Sequence, residues 1–173
     1  TNGSGLMDHH TLDEIQVLDA GAWFSPSFTG EPPPTLEQVF EAMPPDFLIN
    51  VEMKVVIDRM KLIAQRVADT IRRHRRWEST LVASFNPMAL YHLRRIDPGI
   101  ARGYIWSRHH PYPVRAGWLR SLAKAHWFDP APATYDRNGH RKLRRAGGRL
   151  LAWDVDFNND LDAMAKAGVD GVI

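Results

Sequence analysis

Phe47-Leu-Ile-Asn-Val-Glu-Met-Lys54 is an apolar run whose alternate members Asn50, Glu52 and Lys54 are polar. Side chains two apart in a strand point to one face, so a strand here presents an acid and an amine together. Burying both charge types on one face is costly unless they pair, bind a metal or line a solvated pocket. Chemistry is expected at this stretch.

The residues after Lys54 set the fold class. Val56, Met60, Ile63, Val67 and Ile71 recur at three- and four-residue spacing and predict a long helix, and Leu81 to Phe85 is a short apolar run. With the first strand these make one βαβ unit. Asn86-Pro87 offers an N-cap and a first-turn proline to a helix bearing Leu90 and Leu93, and Gly103-Tyr-Ile-Trp106 reads as the next strand. Pro111 to Lys124 supplies Val114, Trp118 and Leu122, and His126-Trp-Phe128 is a candidate short strand. Asp136 caps a basic helix that runs to Arg145 and ends at Gly147-Gly148; Leu150 to Val155 is a strand, Asn159 to Lys166 a helix, and Val169 to Ile173 a last strand. Strands alternating with helices predict a parallel sheet under helical cover, an α/β fold. The periods alone leave an open doubly wound sheet and a closed barrel equally possible.

Before Phe47 the pattern differs. Thr11-Leu-Asp-Glu14 and Thr35-Leu-Glu-Gln38 have capping-box spacing and start two short helices, the second stopped by Pro44-Pro45. Between them, Trp23 to Pro34 is aperiodic and rich in aromatic, Pro and Gly residues, a loop held by its aromatics.

A chain of 173 residues with 44% hydrophobic and 24% charged content is long enough for a real core. It holds no Cys, which excludes thiolate metal sites and cysteine nucleophiles. No apolar run approaches the roughly 18 residues of a membrane span, and neither a basic leader nor an apolar signal core opens the sequence.

The Asn-x-Glu-x-Lys strand also stands in an ordered series. Thr1-Asn-Gly-Ser-Gly5, Leu18-Asp-Ala-Gly21 and Pro34-Thr-Leu-Glu37 precede it; Ala83-Ser-Phe85, Trp153-Asp-Val-Asp156 and Gly168-Val-Asp-Gly-Val-Ile173 follow it. In this order the motifs resemble the glycerophosphodiester phosphodiesterase family along nearly the whole chain. The resemblance implies a TIM-type (β/α)8 barrel of the phospholipase-C-like phosphodiesterase kind. That family's His-Arg-Gly motif, its first acidic ligands and its second catalytic His would precede Thr1. The expectation is therefore a single domain over 1–173, N-terminally incomplete and lacking its first strands. Adding three upstream strands to six candidates exceeds eight, so His126 to Phe128 is expected to be an excursion and not a barrel strand.

The same resemblance assigns roles. Glu52 corresponds to the metal-ligating carboxylate of its strand, on a divalent cation for which hard oxygen ligands favour Mg²⁺ or Ca²⁺. Lys54 would lie beside the scissile phosphate and stabilise charge in the transition state. The alternative for this pair is a local Glu-Lys contact at a strand end. Trp153 corresponds to a pocket tryptophan that could pack on the glycerol backbone, or else to a core aromatic; the family's Trp-Thr-Val-Asn has both polar positions replaced by Asp here. Ser84 and Phe85 match two letters of a Ser-Ser-Phe strand, as substrate-binding candidates; no base is apparent that would make Ser84 a nucleophile. The implied reaction is metal-dependent hydrolysis of glycerophosphodiesters to glycerol 3-phosphate and an alcohol in lipid and glycerol metabolism. The implied partner is a small-molecule substrate, and the residues 1–173 alone are expected to be inactive.

Eight His residues do not change this reading. His9-His10 and His109-His110 are adjacent pairs, which diverge in any regular structure and chelate poorly. His126 is the one placed on a possible strand. The basic clusters Arg72 to Arg76 and His140 to Arg145 fall at helix ends, where cations complement the dipole. A nucleic-acid footprint would need them joined in one stripe, and the formal net charge of +2 is modest, so no nucleic-acid partner is expected. A basic patch against a membrane surface is the other use considered. An inactive scaffold of the same fold is the competing functional reading.

Overall fold

Ile49–Glu52 forms β1, with Ile49 and Val51 half-buried and Asn50 and Glu52 exposed, the alternation the sequence requires. The computed structural model describes residues 1–55, 57–106, 120–130, 137–155 and 158–173. They fall into two compact units, Thr1–Pro45 and Asp46–Ile173.

In the second unit, β1 is followed by β2 (Thr80–Ser84), β3 (Ala101–Trp106), β4 (Trp127–Pro130), β5 (Arg149–Ala152) and β6 (Gly171–Val172), paired in sequence order as a six-stranded parallel sheet. Consecutive parallel neighbours with helical crossovers are the arrangement of a TIM-type barrel, and these strands curl as an arc of one. His126 to Phe128 was expected to leave the sheet; instead β4 pairs on both sides, Gly103 to Trp127 and Trp127 to Arg149. A short run shows no period, yet two flanking strands satisfy its backbone. Pro130, lacking an N–H, is tolerated because it is the last residue of the strand.

Helices cover one face of this sheet. α3 (Met60–Arg73), preceded by a 3-10 turn at Ile57–Arg59, buries Ala64, Ala68 and Ile71; α4 (Pro87–Ile96) buries Ala89, Leu90 and Leu93. Asn86 caps α4 through its Oδ1, which accepts from the Met88 N–H at 2.9 Å. α5 (Arg120–Ala123), α6 (Arg137–Arg145) and α7 (Asn158–Ala167) complete the described helices of the unit. The expected caps and stripe residues Val56, Val114, Trp118 and Asp136 lie outside the described residues. α6 ends as predicted: Gly148 N–H donates to the Leu143 carbonyl and Gly147 to that of Arg144, with Gly147 at φ +79°. Arg102 ties the N-terminal side of the sheet together, its guanidinium donating to the carbonyls of Ala123, Pro98, Ile100 and Lys124 while only 2% exposed.

The first unit carries α1 (Leu12–Gln16) and α2 (Leu36–Ala42), each opened by a complete capping box, Thr11 with Glu14 and Thr35 with Gln38. Its loop is organised by Asp19, whose carboxylate accepts from the N–H groups of Gly21, Ala22 and Gly30 at 2.8 Å each. Those bonds hold its pKa below the ordinary value. Asn2 locks the same residue, with Oδ1 accepting from Asp19 N–H and Asn2 N–H donating to the Asp19 carbonyl. At Gly21 a Cβ would lie 2.1 Å from the Phe28 carbonyl oxygen, so only glycine fits.

Candidate active site

Register divides the sheet into two faces. One holds Val82, Ser84, Tyr104, Phe128, Leu150 and Ala152, all buried against the helices. The other, the interior face of the arc, holds Glu52, Ala83, Gly103, Ile105 and Asp129. Continuing the alternation beyond the strand ends places Lys54, Phe85 and Trp153 on that interior face too. Barrel enzymes do their chemistry at the C-terminal ends of the strands, where all three sit.

Glu52 closes β1, and its Oε2 lies 3.8 Å from Lys54 Nζ. The local contact weighed from the sequence is thus present, but it is a long and open one: the Lys54 side chain is 83% exposed. Such a pair contributes little to stability and leaves the ammonium free to reach an anion. Phe85 and Trp153 meet edge to face at 5.3 Å, and the Trp153 indole N–H donates to the Asp129 carbonyl at 2.7 Å. Trp153 is half-buried, between the two sequence readings of pocket wall and core aromatic.

Ser84 stands on the helix-covered face, 1% exposed. Its hydroxyl donates to the Met53 carbonyl at 2.8 Å and accepts from the Asn86 N–H at 3.1 Å. It thereby fixes the one residue that separates Glu52 from Lys54. Of the sequence candidates, then, Glu52 with Lys54 and Phe85 with Trp153 are brought together, and Ser84 supports the first pair from behind.

Asp129 was missed by sequence reading, because β4 was expected to leave the barrel. It is the acid inside Trp127-Phe-Asp-Pro130, 0% exposed, and burial pushes its pKa up to about 8. An acid flanked by aromatic residues in a short run is the signal that identifies it. Among the described residues no histidine gathers with the acids into a metal-holding group. His10 makes a contact of 3.9 Å with Glu14, His126 precedes β4 with its pKa lowered by burial and by Arg102, and His109 and His110 lie outside the described residues. The basic residues are engaged locally: Arg72 donates to Asp97 at 2.9 Å, Arg144 bonds Asp170 at 2.9 Å, and Arg149 stacks over Trp127.

As a cation ligand Glu52 has the right hard-oxygen chemistry, but among the described residues no three His, Asp or Glu side chains converge. It fits as one ligand of a divalent ion and not as a complete site.

The glycerophosphoryl diester phosphodiesterase family model matches residues 1–173. A glycerophosphodiester phosphodiesterase of Caldanaerobacter subterraneus subsp. tengcongensis is 32% identical over all of this chain and 70% of its own length. YhdW of Bacillus subtilis is 26% identical over the whole chain and 71% of that protein. A solved phosphodiesterase of Oleispira antarctica, in complex with the product sn-glycerol-3-phosphate, superimposes with a TM-score of 0.88 at 25% identity, covering 99% of this chain and 69% of that one. With a barrel arc, an acid-amine pair at the end of its first described strand and a family match over its full length, the chain belongs to the glycerophosphoryl diester phosphodiesterases, a family of phosphoric diester hydrolases.

Proposed function

We propose that this chain contributes the Glu52–Lys54 half of an active site that hydrolyses glycerophosphodiesters to glycerol 3-phosphate and an alcohol, in glycerol and phospholipid metabolism. The observation that carries the reading is the placement of that pair at the C-terminal end of β1, 3.8 Å apart and open to solvent. Lys54 donates charge-assisted hydrogen bonds to a phosphoryl oxygen, which gain strength as negative charge builds there. Glu52 supplies one carboxylate to a divalent cation, Mg²⁺ or Ca²⁺, whose charge would draw in the diester anion. Phe85 and Trp153 form the apolar wall along which the substrate's carbon skeleton lies. Ser84 acts as a positioning residue through the Met53 carbonyl.

Protonation of the leaving alkoxide requires an acid, and the described residues bring no His to this pair. Residues 1–173 on their own are accordingly expected to turn over no glycerophosphocholine. The natural full-length protein decides between this reading and an inactive scaffold. In that protein Glu52→Gln should raise the divalent-ion concentration needed for half-maximal activity by at least about tenfold, a loss expected on removing a ligand charge, with an unchanged melting temperature. A metal dependence equal to wild type would sink the assignment.

A further inference from the structure

Asp129 is a group the proposed chemistry leaves unused. It is fully buried, and neither carboxyl oxygen has a hydrogen-bond partner among the described residues. An unsatisfied buried carboxyl is destabilising, so a structural role does not account for it.

Its position is at the reacting end of the sheet. Glu52 pairs with Ala83, Ser84 with Tyr104 and Ile105 with Asp129. Carried one or two residues further, the same register aligns Lys54, Phe85, Ile105 and Asp129 in one row of the interior face. The side chain leans over Gly103, where an added Cβ would lie 3.0 Å from Oδ2 and 3.2 Å from the Ala83 methyl. Glycine and alanine thus keep the floor between Asp129 and β1 low. β1, which carries Lys54, and β4, which carries Asp129, are three strand spacings apart, roughly 14 Å along the sheet, room for a small phosphodiester between them. The wall beside Asp129 is Trp153, bonded to its carbonyl and braced by Phe85.

We infer that Asp129 is a recognition residue for the glycerol unit of the substrate, its carboxyl hydrogen-bonding a glycerol hydroxyl beside the Trp153 indole. This rests on the phosphodiesterase reading above. With a pKa near 8 the carboxyl is mostly neutral at pH 7, so it does not repel the phosphodiester anion. A neutral carboxyl carries one O–H donor and one free acceptor oxygen, the complement of a hydroxyl. Lys54 takes the phosphate, and the indole covers the carbon face.

The test uses the natural full-length protein and two diesters: glycerophosphocholine, and bis(4-nitrophenyl) phosphate, which has no glycerol. Asp129→Ala should lower kcat/KM for glycerophosphocholine by at least about tenfold and leave the nitrophenyl diester within about twofold, since only one ligand loses its hydrogen bond. Asp129→Asn, which keeps shape and one carbonyl, should show the same selectivity to a smaller extent and serves if alanine unsettles the fold. Inhibition by sn-glycerol 3-phosphate should weaken in both variants, and inhibition by inorganic phosphate should not. Parallel loss on both diesters, or loss on neither, overturns the inference and leaves the phosphodiesterase reading standing. A wild type that hydrolyses neither diester overturns that reading instead. Asp129 is then decided by calorimetry with sn-glycerol 3-phosphate, where equal affinity in wild type and Asp129→Ala, or binding by neither, overturns the inference.

Discussion

The two faces of the one sheet obey different rules. On the helix-covered face the larger polar groups are matched: Ser84 has two partners and Arg102 reaches four carbonyls although buried, and only the small Thr80 hydroxyl there lacks a partner among the described residues. On the interior face Lys54 is exposed, Glu52 pairs loosely with it, and Asp129 is buried with neither oxygen partnered among the described residues. The covered face is built for stability. The interior face gives some of that stability away, which is what a binding surface does when its polar groups await a ligand.

The largest expected effect breaks or confirms that contrast at Asp129. Unfolded, its carboxyl titrates near 3.8; folded, near 8. Well below pH 3.8 both forms are protonated and stability is full. Between pH 4 and 8 the unfolded chain releases a proton that the folded chain keeps, so stability falls as pH rises and levels off above 8. Asp129→Asn removes the slope, and its stability advantage over wild type should grow from near zero at pH 4 to on the order of 5 kcal/mol at pH 8. Urea unfolding at several pH values measures it; a pH-independent difference would show that the acid is solvated.

On the covered face the sign reverses. Arg102→Met removes a guanidinium from four carbonyls, those of Ala123 and Ile100 in buried bonds, at a cost of about 4 kcal/mol. Denaturant midpoints should fall accordingly, and a midpoint within error of wild type would refute a stabilising role for Arg102. Lys54→Met gives the smallest of the three, and only in catalysis: kcat should drop roughly 100-fold, or about 3 kcal/mol, with little change in stability. A rise in KM alone would make Lys54 a uniform binding group.

How far the sequence could be read follows the same division. The alternation in Phe47 to Lys54 gave the correct faces for Asn50, Glu52 and Lys54, because strand period is local geometry. Both capping boxes and the Gly147-Gly148 stop are equally local, and all three are present. Of the stripe predicted for α3, Ile71 is fully buried while Met60, Ile63 and Val67 are half-buried, and the small Ala64 and Ala68 lie deepest beside it. Close approach of α3 and α4 selects small side chains there, and the sequence pattern weighs size the other way.

The sequence by itself determined the α/β alternation, the helix ends, the family and the pairing of Glu52 with Lys54 on one face, since each depends on residues a few positions apart or on an ordered motif. Tertiary structure alone decided that Trp127–Pro130 is a strand, that Ser84 faces the helices and that Asp129 is buried beside Trp153 with no hydrogen-bond partner for its carboxyl among the described residues. A short run acquires its strand only from neighbours that supply hydrogen bonds. A carboxyl acquires its protonation only from the surfaces that exclude water around it, and both come from segments distant in the chain.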